Sequence, residues 1–235
     1  MKALALCSSQ RMEKSNTALI LNPFLEGMRE AGAEVESFYT KKLNINPCQG
    51  CFVCHFKTPG KCWQKDDMQM LHPKLRAADI WVLATPVYFG GFPGPMKNLI
   101  DRTMPLFLPT IELRDGRCSG PPREGTKDGR VVLVATCGYW EMDNFDLLLA
   151  HGQALREFAG ALLRPQADVL KPMMDKGEPL DDILEAAKEA GRQLVRDGEM
   201  STETLNIVSR ELVPLEMYVK AASEMFQQAL DAMKK

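Results

Sequence analysis

The chain has 235 residues, 45% hydrophobic and 26% charged, which suffices for one full core of ordinary globular type. A net charge of -2 gives no electrostatic ground for nucleic acid or an anionic membrane as partner, and no apolar run approaches the roughly 18 residues of a membrane span. The start MKALALCSS mimics a lipoprotein cleavage box, yet only Ala3 to Leu6 separate Lys2 from Cys7, far short of the roughly 7 to 15 apolar residues of an export signal, so a cytoplasmic protein is expected.

Apolar runs of strand length alternate with longer amphipathic stretches, the pattern of a parallel sheet covered by helices on both faces. Residues 2–7 (KALALC) read as a buried strand, followed by a polar loop and a helix from about Asn16 to Ala31, with Gly32 as its stop. Residues 33–39 give the second strand. After a cysteine-bearing loop, Asp66 or Asp67 can cap a helix running to about Ala77. Residues 79–84 (DIWVLA) form the third strand, apolar almost throughout as a central parallel strand should be. A helix entered through Pro93-Gly94-Pro95 follows, and Asp101-Arg102 at its end reads as a structural ion pair. Residues 105–130, rich in Pro, Gly and mixed charge, suggest a solvated insertion, with a lid over a site as the sharper alternative. VVLVAT (131–136) is the fourth strand; a helix from about Phe145 to Ala159 leads to a fifth near Ala161–Leu170. Beyond it, DDILEAAKEAGRQLVRDG closes at Gly198, Ser201 opens another segment, and Pro214 breaks that segment into two helices. The amphipathic spacing from Asp181 onward reads as packing or subunit-contact surface. One domain is expected, 1–235, with a core over 1–170 and a helical extension over 171–235.

Four of the seven cysteines fall in the run Cys48-x2-Cys51-x2-Cys54-x7-Cys62. Packing does not ask for that density. A [4Fe-4S] cluster takes four thiolates, commonly from compact C-x2-C-x2-C runs, whereas zinc knuckles usually come as two separated C-x2-C pairs. A metal-free loop, two disulfides and buried small hydrophobes remain as plainer readings, disulfides being disfavoured by the expected compartment. His55, inside the loop, reads as a neighbour rather than a ligand; His72 and His151 are scattered elsewhere, and no convincing general acid or base stands out.

Two loops at strand ends carry binding chemistry. Ser8-Ser9-Gln10-Arg11 with Ser15-Asn16-Thr17 sets hydroxyls, an amide and a cation between a strand and a helix N-terminus, where exposed N–H groups and the dipole favour a phosphate. The plainer reading is that Ser15 or Asn16 is only an N-cap. Thr85-Pro86-Val87-Tyr88-Phe89-Gly90-Gly91 leaves the third strand with two aromatics able to pack on a flat ring and two glycines that let backbone approach a ligand. In an open α/β sheet, ligands sit beyond the carboxyl ends of such strands.

SSQR, SNT, TPVYFGGFPGPMKNLIDR and the intervening PCQGCFVC, GKC and DDM together resemble the flavodoxin-like NAD(P)H-dependent FMN reductases, and among them the iron-sulfur flavoproteins. The resemblance covers about residues 1–170. It implies a three-layer α/β sandwich with a five-stranded parallel sheet in the order 2-1-3-4-5 and FMN at its carboxyl edge, an arrangement that the general rules for such sheets give for flavodoxin itself. It further implies that Ser9, Arg11, Ser15, Asn16 and Thr17 hold the phosphate, that Pro86, Val87, Tyr88, Phe89 and Gly90 line the isoalloxazine, and that Thr136, Cys137 and Gly138 meet its pyrimidine edge, with Tyr139 or Trp140 as a wall. Cys48, Cys51, Cys54 and Cys62 would hold the cluster. The chain departs from the family at Cys7-Ser8, where a glycine is usual, at Lys14-Ser15, where a Lys/Asn-Gly pair is common, and at Cys137, read as a packing residue although a thiol beside a flavin can be redox active.

With both cofactors, a nicotinamide would give hydride to FMN and the cluster would accept electrons singly, the protein mainly positioning and tuning the cofactors. The rival readings are a metal-free NAD(P)H reductase of quinones, nitro compounds or free flavin, and an FMN-binding electron carrier without efficient turnover. Family members are commonly dimers or tetramers, so the resemblance implies a homo-oligomer with a small-molecule or protein electron acceptor.

Overall fold

A computed structural model of the chain describes residues 1–114 and 116–233, without the Arg117 side chain. Five strands, β1 (Lys2–Cys7), β2 (Glu34–Tyr39), β3 (Ile80–Pro86), β6 (Arg130–Thr136) and β7 (Glu157–Arg164), form one all-parallel sheet in the order β2-β1-β3-β6-β7. Counted among themselves these strands run 2-1-3-4-5, the expected flavodoxin-like topology. The numbering shifts because a short antiparallel hairpin, β4 (Glu112–Arg114) and β5 (Arg117–Ser119), occupies the insertion between β3 and β6.

Strand alternation builds two cores, one per face. Ala3, Ala5, Cys7, Val82, Ala84, Val132 and Val134 point to one side. There they meet α1 (Asn16–Glu30), α6 (Ala167–Asp175), α7 (Asp181–Arg196) and α8 (Thr202–Ser209). Leu4, Leu6, Trp81, Leu83, Val131, Leu133 and Ala135 point to the other, against α3 (Met68–Ala77), α4 (Gly94–Asp101) and α5 (Asp146–Gln153). Burial on both faces explains why the three central strands, β1, β3 and β6, read as continuous apolar runs, whereas the edge strand β2 is largely exposed.

On the first face α1 and α7 cross at two glycines. A Cβ on Gly27 would stand 1.8 Å from the Lys188 carbonyl oxygen, and one on Gly191 2.0 Å from that of Phe24, so only glycine permits this approach. Lys188 then pairs with Glu26 and Glu30, and Arg192 with Glu30, across the same seam.

Several element boundaries depart from the sequence reading. The fifth strand begins at Glu157 and ends at Arg164, and residues expected to extend it to Leu170 instead form the first turns of α6. The preceding helix stops at Gln153 rather than near Ala159, its last carbonyls already capped by the Ala154 N–H. Asp101 and Arg102 do not pair with each other: Asp101 accepts from Lys97 at 2.6 Å on the helix surface, while Arg102 turns inward to Asp66 at 2.6 Å. The break near Pro214 is present, separating α8 from α9 (Leu215–Met233), a helix whose Leu215, Met217, Val219, Phe226 and Leu230 are exposed. No helix of the described residues is long and apolar enough to cross a membrane.

Candidate functional site

The carboxyl ends of β1, β3 and β6, with the start of α6, enclose one cavity. Ser9, Arg11, Ser15, Asn16, Thr17, Pro86, Val87, Tyr88, Thr136 and Gly138 line it together with Ala167 and Asp168. Its walls are tied to one another. The Thr17 and Thr136 hydroxyls lie 2.8 Å apart, Ser8 donates to Thr85 at 2.9 Å, and the Val87 N–H donates to the Thr136 carbonyl at 2.8 Å. The Ser15 hydroxyl accepts from the Ala18 N–H and donates to the Met12 carbonyl, so it caps α1 while lining the cavity. This cap aims the helix N-terminus, with its free N–H groups and positive dipole end, where Arg11 also stands, a combination that fits a phosphate.

Three residues expected in the site do not line this cavity. Tyr88 and Gly91 exchange a pair of 3.1 Å backbone hydrogen bonds, closing a two-residue turn in which Phe89 (φ 50°) and Gly90 (φ 76°) both have positive φ. Such a turn favours glycine at Gly90 and pushes Phe89 outward, where it is fully exposed beside the half-exposed Tyr88. The Gly91 N–H is consequently occupied rather than free for a ligand. Cys137 points into the second core, and burial raises its thiol pKa, consistent with a packing role. Cys7, also buried, has a thiol pKa pushed up to about 11. Trp140 turns away toward the C-terminal segment, donating to the Val213 carbonyl at 3.1 Å.

The cysteine loop leaves the sheet after β2 and returns at α3. It contains one short helix, α2 (Val53–Phe56), and is pinned at its neck. Asp67 accepts from the Asn44 N–H at 2.6 Å; Asp66 accepts from the N–H groups of Asn46 and Met68 and, bidentately, from Arg102 at 2.6 and 3.0 Å. The Asp66 and Arg102 side chains are 0% and 1% exposed, so the pair is fully desolvated. Burial alone would raise the Asp66 pKa, but Arg102 and the Asn46 N–H outweigh it and lower it. Burial likewise opposes the charge on Arg102, which Asp66 and the Cys62 sulfur nonetheless favour.

Cys48, Cys51, Cys54 and Cys62 all line one small cavity, together with Phe52, Trp63 and Arg102 among others, and all four are free thiols. The Val53 N–H and Trp63 Nε1, 3.3 Å from the sulfur, lower the Cys51 pKa; burial and then the neighbouring Cys62 raise that of Cys54. His55 is buried with no partner on Nδ1. Among the described residues, no three His, Cys, Asp or Glu stand close enough to hold a single metal ion.

The profile of NADPH-dependent FMN reductases matches residues 1–167. The chain belongs to that family. Among FMN reductase relatives, an iron-sulfur flavoprotein of Archaeoglobus fulgidus is 35% identical over 57% of this chain and 65% of its own length. One of Methanocaldococcus jannaschii is 39% identical over 45% and 53%. The chain thus spans between half and two thirds of the curated relatives it matches. Solved structures share the fold. The NAD(P)H:quinone oxidoreductase of Methanothermobacter marburgensis superposes with a TM-score of 0.57 at 18% identity, covering 83% of this chain and 96% of that one. An FMN-dependent NADH-azoreductase of Bacillus anthracis, solved with FMN, gives 0.56 at 14% identity, covering 83% and 99%.

Sequence reasoning missed the part of this cavity that lies beyond β7. Asp168 supplies a carboxylate to the lining, and its Oδ2 would be 2.5 Å from a Cβ on Gly138, so a side chain there would have to displace the carboxylate. Reading 165–170 as strand hid it; a loop at the end of the fifth strand would have been searched like the other three. Also unforeseen is a strap from the C-terminal segment. The Gln166 side chain holds Leu212 and Val213, Arg164 donates to the carbonyls of Val208 and Arg210, and the Tyr218 hydroxyl donates to the Gly138 carbonyl in the cavity wall.

Proposed function

We propose that the protein is an FMN-dependent oxidoreductase that takes electrons from NAD(P)H and passes them on through a [4Fe-4S] cluster held by Cys48, Cys51, Cys54 and Cys62. The observation that carries this reading is the convergence of both residue sets: ten of the thirteen expected FMN-contacting residues line one cavity at the strand ends, and all four loop cysteines line another. Four free thiols around one cavity suit a polynuclear cluster, whose thiolates stand farther apart than those around a single ion, and relatives at 33% to 39% identity carry the name iron-sulfur flavoprotein.

FMN, when bound, supplies hydride acceptance and stepwise electron release. The chain's own residues bind and orient it. Arg11, the α1 N-terminus and the Thr17 hydroxyl meet the phosphate, Pro86, Val87 and Tyr88 pack on the ring, and the main chain of Thr136 and Gly138 with the Asp168 carboxylate meets its polar edge. In the cysteine loop, Trp63 and the Val53 N–H stabilise Cys51 as thiolate, the form in which it ligates iron. A reducing cytoplasm keeps such thiols free. The exposed apolar side of α9 fits a subunit contact in a homo-oligomer. The electron acceptor is then a small molecule or a redox protein reaching the cluster.

A metal-free NAD(P)H reductase with the same flavin cavity is the second reading, supported by a flavin cavity whose lining needs none of the loop cysteines. The ultraviolet-visible spectrum of protein purified without oxygen separates the two. Flavin bands over a broad absorbance bleached by dithionite are expected. Flavin bands alone make the protein a simple FMN reductase, and a folded preparation that neither carries nor takes up FMN overturns both.

A further inference from the structure

Cys62 also belongs to a second cavity, of about 500 Å³, whose polar lining comes from Lys61, Gln69, His72, Arg76 and Arg123. Neither the flavin nor the cysteine reading uses it. Its two guanidinium groups are drawn together over Gly60, where a Cβ would lie 2.9 Å from Arg123 Cδ and 3.0 Å from Arg76 Nη2. Gly60 has φ +78°, so both its missing side chain and its backbone conformation make the approach possible.

The positive charge gathered there is uncompensated. Arg76 Nη2 donates to the carbonyls of Gly60 and Pro105 at 2.9 and 3.1 Å, and Arg123 Nη2 to that of Phe107 at 3.3 Å, all neutral acceptors. Among the described residues no carboxylate pairs with Arg76, Arg123 or Lys61. Arg123 Nε is buried with no acceptor at all. His72 gives its Nε2 to the Arg102 carbonyl at 2.8 Å. A role as braces for the loops at 58–61 and 105–107 accounts for one nitrogen of each arginine; it leaves the Nε unsatisfied and two like charges side by side, which is costly in a partly desolvated site. Paired guanidinium forks with spare N–H groups match the oxygens of a phosphate or carboxylate.

We propose that this cavity binds a small molecule bearing a phosphate or carboxylate group, at a site separate from the FMN cavity and against the cysteine loop through Cys62. The site rests on the cavity's own residues and not on the cofactor assignments. A bound oxyanion satisfies Arg123 Nε and neutralises the arginine pair, while Lys61 and Gln69 at the mouth are placed to hold the rest of the molecule.

The test is isothermal titration of flavin-saturated protein with inorganic phosphate and, in a separate arm, succinate, at fixed ionic strength. Saturable binding at one site per chain is expected for at least one probe, weakened about tenfold or more by Arg123→Gln and partly restored in Arg123→Lys, with the flavin spectrum unchanged. Arg76→Gln should weaken it too, but Arg76 also braces two carbonyls, so Arg123→Gln carries the decision. Arg11→Gln, in the flavin loop, should leave it unchanged. The inference is overturned if neither probe saturates at millimolar concentration, or if the heat survives Arg123→Gln and disappears in Arg11→Gln. Failure to take up flavin would show in the absorbance and bears on the cofactor reading alone.

Discussion

The cavity proposed for FMN stands on strand ends held by residue-to-residue ladder bonds, whereas the cysteine loop contains a single four-residue helix and is fixed mainly where it enters and leaves the fold. In the first region the sheet backbone positions the lining residues, and the Thr17 and Thr136 side chains also tie neighbouring ends together. In the second, a few polar side chains at the neck do that work: Asp66, Asp67 and Arg102. A site built on a sheet can lose one contact and keep its shape. A loop held at its neck should fail as a unit.

Arg102→Leu offers the harshest way to break that contrast. It leaves the Asp66 carboxylate buried without its partner, a loss of about 3–5 kcal/mol that denaturant unfolding should register. Iron uptake on anaerobic reconstitution should fall sharply while FMN uptake persists; parallel loss of both would show that the two regions are not independent. Acid should act on the same neck. Because the folded Asp66 pKa lies below its unfolded value of about 3.9, its contribution is complete above that pH and is lost as pH falls through the lower folded value. Tryptophan emission, with Trp63 in the loop, should show a step below about pH 4 that is absent in Asp66→Asn.

A milder blow to the opposite region is Gly191→Ala. Its methyl would sit 2.0 Å from the Phe24 carbonyl oxygen, so α7 must shift from α1, at about 1–3 kcal/mol in thermal or chemical unfolding. Since α1 carries Asn16 and Thr17 at its start, FMN affinity should weaken with iron uptake unchanged. The smallest effect is expected from Tyr218→Phe, which removes one hydrogen bond to the Gly138 carbonyl. About 1 kcal/mol of stability and a several-fold loss of FMN affinity should follow. Unchanged flavin affinity would make the strap a purely structural attachment.

What could be read in advance follows the same division. The first four strands of the sheet and the loops at their ends were legible because hydrophobic period and loop position report backbone layout directly, whereas the strand order came from the family resemblance. Arg102 was assigned the wrong partner because Asp66 lies 36 residues away, and a neighbouring acid at 101 offered the simpler pairing. The start of β7 was absorbed into the preceding helix because no Gly or Pro marks the stop after Gln153, and the strand opens through a register shift opposite Val131 and Val132 with Gly160 at φ +116°. Asp168 was hidden because the strand was expected to run on to Leu170, past its end at Arg164. Tyr218, 80 residues from Gly138, and the arginine pair over Gly60 are products of tertiary assembly with no local sequence sign.

The glycine crossing also governs when the molecule can exist. Lys188 and Glu26 are 162 positions apart, so the outer layer behind the first loop stays open until most of the chain has left the ribosome. Until then the side of α1 that meets α7 at Gly27 and Phe24 lacks its cover. A nascent chain paused after β7 would hold a completed sheet and an unshielded flank, making this interval the point at which a chaperone or an aggregate competes with the native fold.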